Sequence, residues 1–205
     1  MTTVVFLRHG PTRENQEGRV QGQQPGQLLV RETEAYISAI TPMLRATNPS
    51  VLVSSDLGRA TGTRQILKDF LQLPTVTEVT LSLLRERAVG TYEGKLWTDM
   101  PAALQSQRGR NEYDFRVCGG EDNQAVAARV AATLRYLASA HAHASICCIS
   151  HACWLQQLAQ MITAEVLPDD WFDRTAIYEL ELAPAGTITN FKVHHIAAKL
   201  PRDLG

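Results

Sequence analysis

The chain has no hydrophobic run long enough to span a membrane as a helix, which leaves no helical anchor within it. It has no basic stretch followed by an apolar core and a small-residue cleavage site at its start. Cytoplasmic residence is therefore the expectation. Charge of one sign is also missing: 20 Lys and Arg against 21 Asp and Glu leave a formal net charge of −1. No broad basic surface for nucleic acid is implied. Cysteine is sparse, and its 4 copies form neither a Cys-x-x-Cys pair nor a zinc spacing. Cys147 and Cys148 are adjacent in an apolar run, so on a strand they face opposite sides of a sheet, while Cys118 and Cys153 stand apart. Reduced, structural thiols are the reading. His194-His195 has no carboxylate or cysteine cluster beside it and reads as surface or satisfied histidines, so no metal site and no cofactor are expected. There is no repeat, low-complexity tract or charged tail.

What is present is a chain of 205 residues, the length of one domain or of one domain with a small lid. That length buries a core without disulfide staples. Strands and helices alternate. Residues 3–8 read as a strand, and Leu28 to Ala46 as a helix that Pro42 should kink or restart. Val51-Leu52-Val53 is a second strand, and Ser55 or Asp56 could cap the helix that runs on to Leu71. Val76 to Leu81 is a third strand. Residues 87–120 are the least regular, with a short helix around Pro101 to Gln107. Asp122 to Ala140 is amphipathic, with Val126, Val130, Leu134 and Leu137 on one face. Ser145 to Ser150 is a buried strand that leads through His151 into a helix ending near Ile162. Two last strands, Ile177–Leu182 and Ile188–His195, flank Pro184-Ala185-Gly186 and read as a hairpin. The predicted fold is α/β: a mostly parallel central sheet with helices on both faces and an antiparallel edge from the C-terminal hairpin.

In such sheets ligands bind outside the carboxyl ends of the strands. Four strand ends carry polar groups. The first gives Arg8 and His9, followed by Gly10, Thr12 and Asn15. The second leads through Ser54-Ser55 to Arg59. The third leads to Glu86, and the fourth gives Ser150-His151 at a helix start. A guanidinium fork suits phosphate, an imidazole can serve as nucleophile, base or metal ligand, and a helix N-terminus favours anions. Together the set suits a tetrahedral dianion, a nucleophile and a proton donor.

The run Leu-Arg-His-Gly-x-Thr-x-x-Asn at 7–15 resembles the signature of the histidine phosphatase superfamily, the phosphoglycerate mutase-like enzymes. Ser54-Ser55-Asp56-Leu57-Gly58-Arg59-Ala60 is similar to that family's second arginine motif. Leu84-Arg85-Glu86 with Gly90-Thr91-Tyr92-Glu93-Gly94 is similar to its acid loop. Gly119-Gly120-Glu121 with Arg129-Val130, and Ile149-Ser150-His151, match its later motifs in order. The resemblance implies a single phosphoglycerate mutase-like domain over 1–205 and a phosphohistidine on His9. It implies that Arg8, Arg59 and His151 hold the phosphoryl oxygens, with Asn15 donating in the same pocket. Glu86 would protonate the leaving oxygen and then activate water. Thr12, Arg19 and the backbone of Ala152 join the candidate phosphate pocket. Glu93 is expected to brace its loop.

Three departures stand out. Ala152 replaces the glycine usual after the second histidine. Pro25-Gly26-Gln27-Leu28-Leu29 and Glu32 replace a segment in which the family carries Asp and Pro-Leu. Arg174 lies where many members have Asn. None removes a catalytic group. A phosphomonoesterase acting on a small phosphorylated metabolite is favoured. Mutases of the family carry a longer insert between the acid and the second histidine than residues 87–150 supply, with an Arg-Arg-Ser segment absent here. A cofactor-dependent phosphoglycerate mutase is the alternative within the fold, and a non-catalytic phosphate-binding interaction module the alternative outside catalysis. Residues 95–118 are expected to cover the pocket mouth, where Trp97, Arg108, Arg110, Tyr113 and Arg116 could meet the leaving group or stand solvated. No nucleic acid or membrane partner is expected. The oligomeric state stays open, a homodimer included.

Overall fold

The structure, a computed structural model, describes residues 1–105, 113–163 and 176–196. Its elements, in chain order, are β1 (Thr2–Arg8), α1 (Arg13–Gln16), α2 (Val30–Thr47), β2 (Val51–Ser54), α3 (Gly58–Leu71) and β3 (Thr77–Thr80). There follow α4 (Ala102–Gln105), α5 (Asn123–Ala140), β4 (Ser145–Ser150), α6 (Ala152–Thr163), β5 (Ala176–Leu182) and β6 (Ile188–His195). The strands form one sheet in the order β3-β2-β4-β1-β5-β6. β3, β2, β4 and β1 run parallel to one another, and β5 and β6 add the antiparallel edge that the hairpin signal predicts.

Helices cover both faces. α5 and α6 bury Val126, Val130, Leu134, Trp154, Leu155 and Leu158 against Val4, Phe6, Val53, Ile146 and Cys148. α2 and α3 bury Tyr36, Ile37, Ile40, Leu44, Ala60 and Leu67 against Val5, Leu7, Leu52, Cys147 and Ile149. β1, β2 and β4 are buried on both sides, so they read as near-continuous buried runs rather than alternating ones, whereas the edge strands β3 and β6 are largely exposed. The two adjacent cysteines part as expected, Cys147 into one cluster and Cys148 into the other. Burial pushes the Cys147 thiol up to about 12 and Cys148 well above the ordinary thiol range. His194 is satisfied by the Glu179 carboxylate at 2.8 Å.

Several local expectations are corrected. α2 runs through Pro42 without interruption, because a chain packed along its length by Tyr36, Ile37, Ile40 and Leu44 tolerates one missing N–H. Neither Ser55 nor Asp56 caps α3, whose N-cap position is Leu57 with no side-chain cap. Asp56 is drawn instead to Arg85, with Nε to Oδ1 at 2.6 Å. Asp122 does cap α5, accepting from the Ala125 N–H at 2.8 Å. The helix expected over 101–107 is described for Ala102–Gln105, and its remainder, with Arg108 and Arg110, lies outside the described residues. Arg174 lies outside them as well.

The site follows from this topology. After β1 the chain passes to α2 on one face, and after the adjacent β4 it passes to α6 on the other. Two neighbouring parallel strands whose chains depart to opposite faces leave a crevice at their carboxyl ends. Arg8 pairs with Ser150 in the ladder, and the His9 N–H continues it to the Ser150 carbonyl at 3.0 Å. His9 and His151 therefore stand side by side at that point.

Candidate active site

His9 is 2% exposed and lies in the crevice. Its Nδ1 is 2.6 Å from the Gly10 carbonyl oxygen. A carbonyl only accepts, so Nδ1 carries the proton and Nε2 keeps its lone pair. The Arg59 Nε–H donates to that Nε2 at 3.2 Å. Gly10 is required by close approach: a Cβ there would sit 2.2 Å from the Thr33 hydroxyl oxygen. Its own N–H donates to the Thr63 hydroxyl at 2.9 Å. The imidazole is thus fixed in tautomer and direction.

Arg59 comes from the first turn of α3 and is buried at 1% exposure. Besides His9 it donates to the carbonyls of Gln24 and Gly22, the latter at 2.8 Å. Burial, opposed by the Glu86 carboxylate, lowers it to about 10, so it stays cationic at neutral pH. Its anchors belong to the loop of residues 18–26, which departs from the family pattern at Pro25 and beyond. That loop still delivers the carbonyls that aim the guanidinium.

The His151 ring centroid lies 5.0 Å from that of His9. Its Nε2 is 2.7 Å from the Ser55 hydroxyl. That hydroxyl also accepts the Leu57 N–H at 3.4 Å, and Nε2 is the acceptor for its proton in the tautomer assigned to His151. His151 Nδ1 then carries the ring proton, and it is buried with no protein partner. Burial first, and the charges of Arg59, Arg8 and Arg129 next, hold His151 well below its ordinary value. The crevice thus has beside it a neutral imidazole with an unanswered N–H donor.

Glu86 faces the histidines from the segment after β3. Its Oε1 accepts the Arg87 N–H at 2.7 Å, and its Oε2 accepts the Cys153 N–H of α6 at 3.2 Å. Three elements clamp its backbone. The Ser150 hydroxyl and Trp154 Nε1 donate to the Leu84 and Leu83 carbonyls, both at 2.9 Å. Arg129 donates to the Leu83, Arg85 and Glu86 carbonyls while its fork grips Glu121. Glu121 in turn accepts the Ala88 N–H at 2.8 Å. Glu93 accepts the N–H groups of Gln23 and Val89, the loop brace the sequence suggested. Gly90 has φ 59°, and a Cβ on it would meet the Cys118 carbonyl oxygen at 1.8 Å, so the turn behind Glu86 excludes any side chain.

The crevice encloses about 160 Å³ and is lined by Arg8, His9, Asn15, Arg19, Gln21, Arg59, Glu86, Arg87, Trp97 and Cys153, among others. Arg8, His9, Asn15, Arg19, Arg59 and Glu86 are therefore brought together as the sequence predicts. Thr12, His151 and Ala152 do not line it. Thr12 is spent as the cap of α1: its hydroxyl donates to Asn15 Oδ1 at 2.9 Å and accepts the Asn15 N–H. It orients Asn15 rather than reaching a ligand itself. His151 is fully buried next to His9, and Ala152 opens α6. Arg19 reaches the rim but is held by Glu17 at 2.7 Å and by the Gly94 carbonyl at 3.0 Å. Arg116 is spent on Asp114 and Asp122. Arg87 was given no role from the sequence. It is 1% exposed, lines the crevice, and sits 5.4 Å from the Tyr113 ring centroid. Nothing local in the sequence marks it as buried. Cys153 was also missed, although a position two residues beyond a strand-end histidine, at a helix start, is a signal for it.

Among the described residues no group of three or more His, Cys, Asp or Glu side chains gathers as a metal site, and no helix is long and apolar enough to cross a membrane. Arginines, paired imidazoles and one carboxyl group at a switch point define an α/β enzyme that handles phosphoryl groups. The comparisons agree. The model of the histidine phosphatase superfamily (branch 1) matches residues 4–191. The chain is 28% identical over 167 residues to a metal-independent phosphoserine phosphatase of Arabidopsis thaliana, covering 80% of this chain and 69% of the plant protein. It is 30% identical over 137 residues to a probable phosphoglycerate mutase, GpmB, of Salmonella paratyphi A, covering 65% of this chain and 62% of that one. The match thus spans less than two thirds of the bacterial protein's length. A mycobacterial glucosyl-3-phosphoglycerate phosphatase, solved with VO3, shares the fold at a TM-score of 0.73 and 22% identity, over 93% of this chain and 96% of the other. The chain belongs to the histidine phosphatase superfamily. It is a phosphoric monoester hydrolase of that type.

Proposed function

We propose that this phosphatase hydrolyses small phosphorylated carboxylic acids through a phosphohistidine on His9. In the first step His9 Nε2 attacks phosphorus in line with the leaving oxygen. The P–O bond breaks, and Glu86 delivers its proton to the departing alkoxide. In the second step Glu86, now a carboxylate, takes a proton from water as that water attacks the phosphohistidine, which releases inorganic phosphate and restores both groups. Arg8, Arg59, Asn15 and the His151 Nδ1–H meet the equatorial oxygens. Phosphoryl transfer depends mainly on such positioning and charge cancellation. Arg19 is assigned a supporting place at the rim, and the Ala152 N–H, which does not line the crevice, is assigned none. The observation that carries the reading is His9 itself, with Nδ1 locked on the Gly10 carbonyl and Nε2 facing the Arg59 guanidinium in the crevice.

The substrate class rests on charge. Arg8, Arg19, Arg59 and Arg87 line the crevice against Glu86 alone. With Arg19 held by Glu17 and Glu86 protonated, as a proton donor must be before the first step, Arg8, Arg59 and Arg87 exceed a phosphoryl dianion by one positive charge, which suits a carboxylate on the leaving group. The phosphoserine and glucosyl-3-phosphoglycerate of the relatives' names are molecules of this kind. Residues 95–118 are read as the cover, supported by Trp97 in the lining and by Tyr113 packed edge-on to it. Cytoplasmic residence belongs to the same reading, supported by the free thiols of Cys118, Cys147, Cys148 and Cys153. The test is phosphate release from phosphoserine, phosphoglycerates, glycerol phosphate and sugar phosphates. Carboxylated substrates are expected to have the highest kcat/KM, and equal values across the panel would reject the substrate class. The probable-mutase relatives call for one further arm. Labelled phosphate should pass to water, and its transfer to a second phosphoglycerate would establish a mutase instead. A protein that binds these compounds without releasing phosphate would be a binding module.

A further inference from the structure

Gln23 does not line the crevice, yet it joins the loop that aims Arg59 to the loop that carries Glu86. Gly22 and Gln24 on either side of it supply the carbonyls that hold the Arg59 guanidinium. Its own N–H donates to Glu93 Oε1 at 3.0 Å. Its half-buried side chain crosses to the other loop. Nε2 donates to the Glu86 carbonyl oxygen at 3.1 Å, and Oε1 accepts from Arg85 Nη1 at 3.3 Å. Only one orientation of the amide serves both partners. A carbonyl needs a donor and a guanidinium needs an acceptor, so the NH2 group faces Glu86 and the oxygen faces Arg85. Arg85 is fixed in turn on Asp56, two residues beyond β2.

The Glu86 carbonyl and the Arg87 N–H are two ends of one peptide unit. That unit is planar, so whatever fixes the carbonyl also fixes the N–H. The Arg87 N–H is the donor to Glu86 Oε1, at 2.7 Å. A carbonyl that accepts a hydrogen bond also polarises its peptide and strengthens the N–H as a donor. The same carbonyl receives Arg129 Nη2 from α5 at the longer distance of 3.4 Å, while the Cys153 N–H holds the other carboxyl oxygen separately. The Gln23 amide is thus the nearer of two side-chain donors that set the peptide plane on which one oxygen of the acid depends.

We infer that Gln23 is a positioning residue for the Glu86 carboxyl group, acting through the peptide that joins residues 86 and 87. The inference rests on the reading of Glu86 as proton donor. Asp56 and Arg85 orient the Gln23 amide, the amide orients the peptide, and the peptide N–H orients the carboxyl group. Without the amide the peptide can tilt about the remaining Arg129 contact. Glu86 Oε1 then loses its fixed donor, and the carboxyl group gains rotational freedom around the Cys153 N–H.

The experiment compares wild type, Gln23→Met, Gln23→Ala, Glu86→Gln and the double variant Glu86→Gln/Gln23→Met on an alkyl phosphate and on p-nitrophenyl phosphate. Thermal midpoints check that each variant folds, and methionine keeps the length of the side chain while removing the amide. An alkoxide needs the proton, whereas a nitrophenolate leaves without it. A neutral hydrogen bond is worth about two- to tenfold. Gln23→Met should lower kcat on the alkyl substrate by about that factor, with KM little changed, while phosphoenzyme forms from the aryl substrate at the wild-type rate. Decay of the phosphoenzyme, which uses the same carboxylate as base, should slow by a similar factor. Gln23→Ala should behave alike. In the Glu86→Gln background Gln23→Met should add nothing, because the two act as one unit. No loss on either substrate, equal losses on both, or additive losses in the double variant would show that Gln23 only braces its own loop, and would overturn the inference while leaving Glu86 in place. If Glu86→Gln itself shows no dependence on the leaving group, the reading of Glu86 fails and the inference fails with it.

Discussion

At the carboxyl ends of β1, β2 and β4, side chains ride on a hydrogen-bonded ladder. Val5, Leu7, Leu52 and Cys147 are sealed beneath one face, and Phe6, Val53 and Cys148 beneath the other. Across the crevice, the described part of residues 85–122 contains no strand and rests on a far smaller core of Val89, Met100 and Phe115, edged by Tyr92, Trp97, Tyr113 and Cys118. The first region is fixed by sheet geometry, so its groups hold their directions when the crevice is empty. The second is held by side chains and glycine turns, with Gly90, Gly94 and Gly119 all at positive φ. Segments with few buried contacts open at lower cost. Under the proposed function, chemistry belongs to the first region and choice of leaving group to the second. Glu86 sits on the seam, which is why Arg129, Ser150 and Trp154 tie it back to the sheet side.

The comparison breaks most sharply at His9. His9→Ala should abolish turnover, a loss of up to about a millionfold by the precedent of other covalent nucleophiles, while the thermal midpoint stays close to wild type. Steady-state assay with parallel calorimetry checks both. Next comes the seam. Arg129→Ala removes a half-buried bidentate pair and three carbonyl contacts, so stability should fall by about 1–3 kcal/mol, between the surface and buried ranges. Urea unfolding measures it, and Arg129→Lys should rescue only part because it lacks the fork. A smaller effect follows from His151. Its folded value lies well below 6.5, so between the two values the unfolded chain binds a proton that the folded one does not. Its share of stability is therefore intact above about pH 6.5 and lost as pH falls below it, by up to about 1.4 kcal/mol per pH unit. His151→Gln should flatten that slope when urea unfolding is compared at mildly acidic and neutral pH. An unchanged slope would mean that the imidazole is not buried neutral. The smallest effect belongs to the cover. Trp97→Ala loses an aromatic pair with Tyr113, worth about 0.5–1.5 kcal/mol, and should raise KM about two- to tenfold with kcat retained. A fall in kcat alone would put Trp97 on the cradle's side of the comparison.

The cradle was legible because sheet physics is local. A short β-branched run followed by Arg8-His9-Gly10, and a second followed by Ser150-His151, place both histidines at strand ends without knowledge of any contact. Their adjacency follows once alternation predicts a parallel sheet. The rest depends on tertiary pairing that no spacing encodes. Thr12 was expected to meet phosphate, but its hydroxyl is spent on Asn15 and does not line the crevice. Asp56 looked like a cap until Arg85, distant in sequence, claimed it. Ser55 looked like the other candidate and instead hydrogen-bonds the His151 ring at 2.7 Å. Glu86 reads as the acid, but nothing in Arg85-Glu86-Arg87 tells the two flanking arginines apart. Folding sends Arg85 to the surface, Glu86 into the crevice and Arg87 under Tyr113. Arg116 read as a candidate anion contact and turns out to be neutralised within its own loop.

The central claim is that His9 becomes covalently phosphorylated. Wild-type enzyme mixed with p-nitrophenyl phosphate, quenched in alkali within milliseconds and mapped by mass spectrometry, addresses it most directly. The account predicts phosphate on the peptide carrying His9, stable to alkali and lost in acid, formed in a burst and absent from His9→Ala. Turnover with no bound phosphate at any quench time, or with phosphate on a different residue, would contradict it.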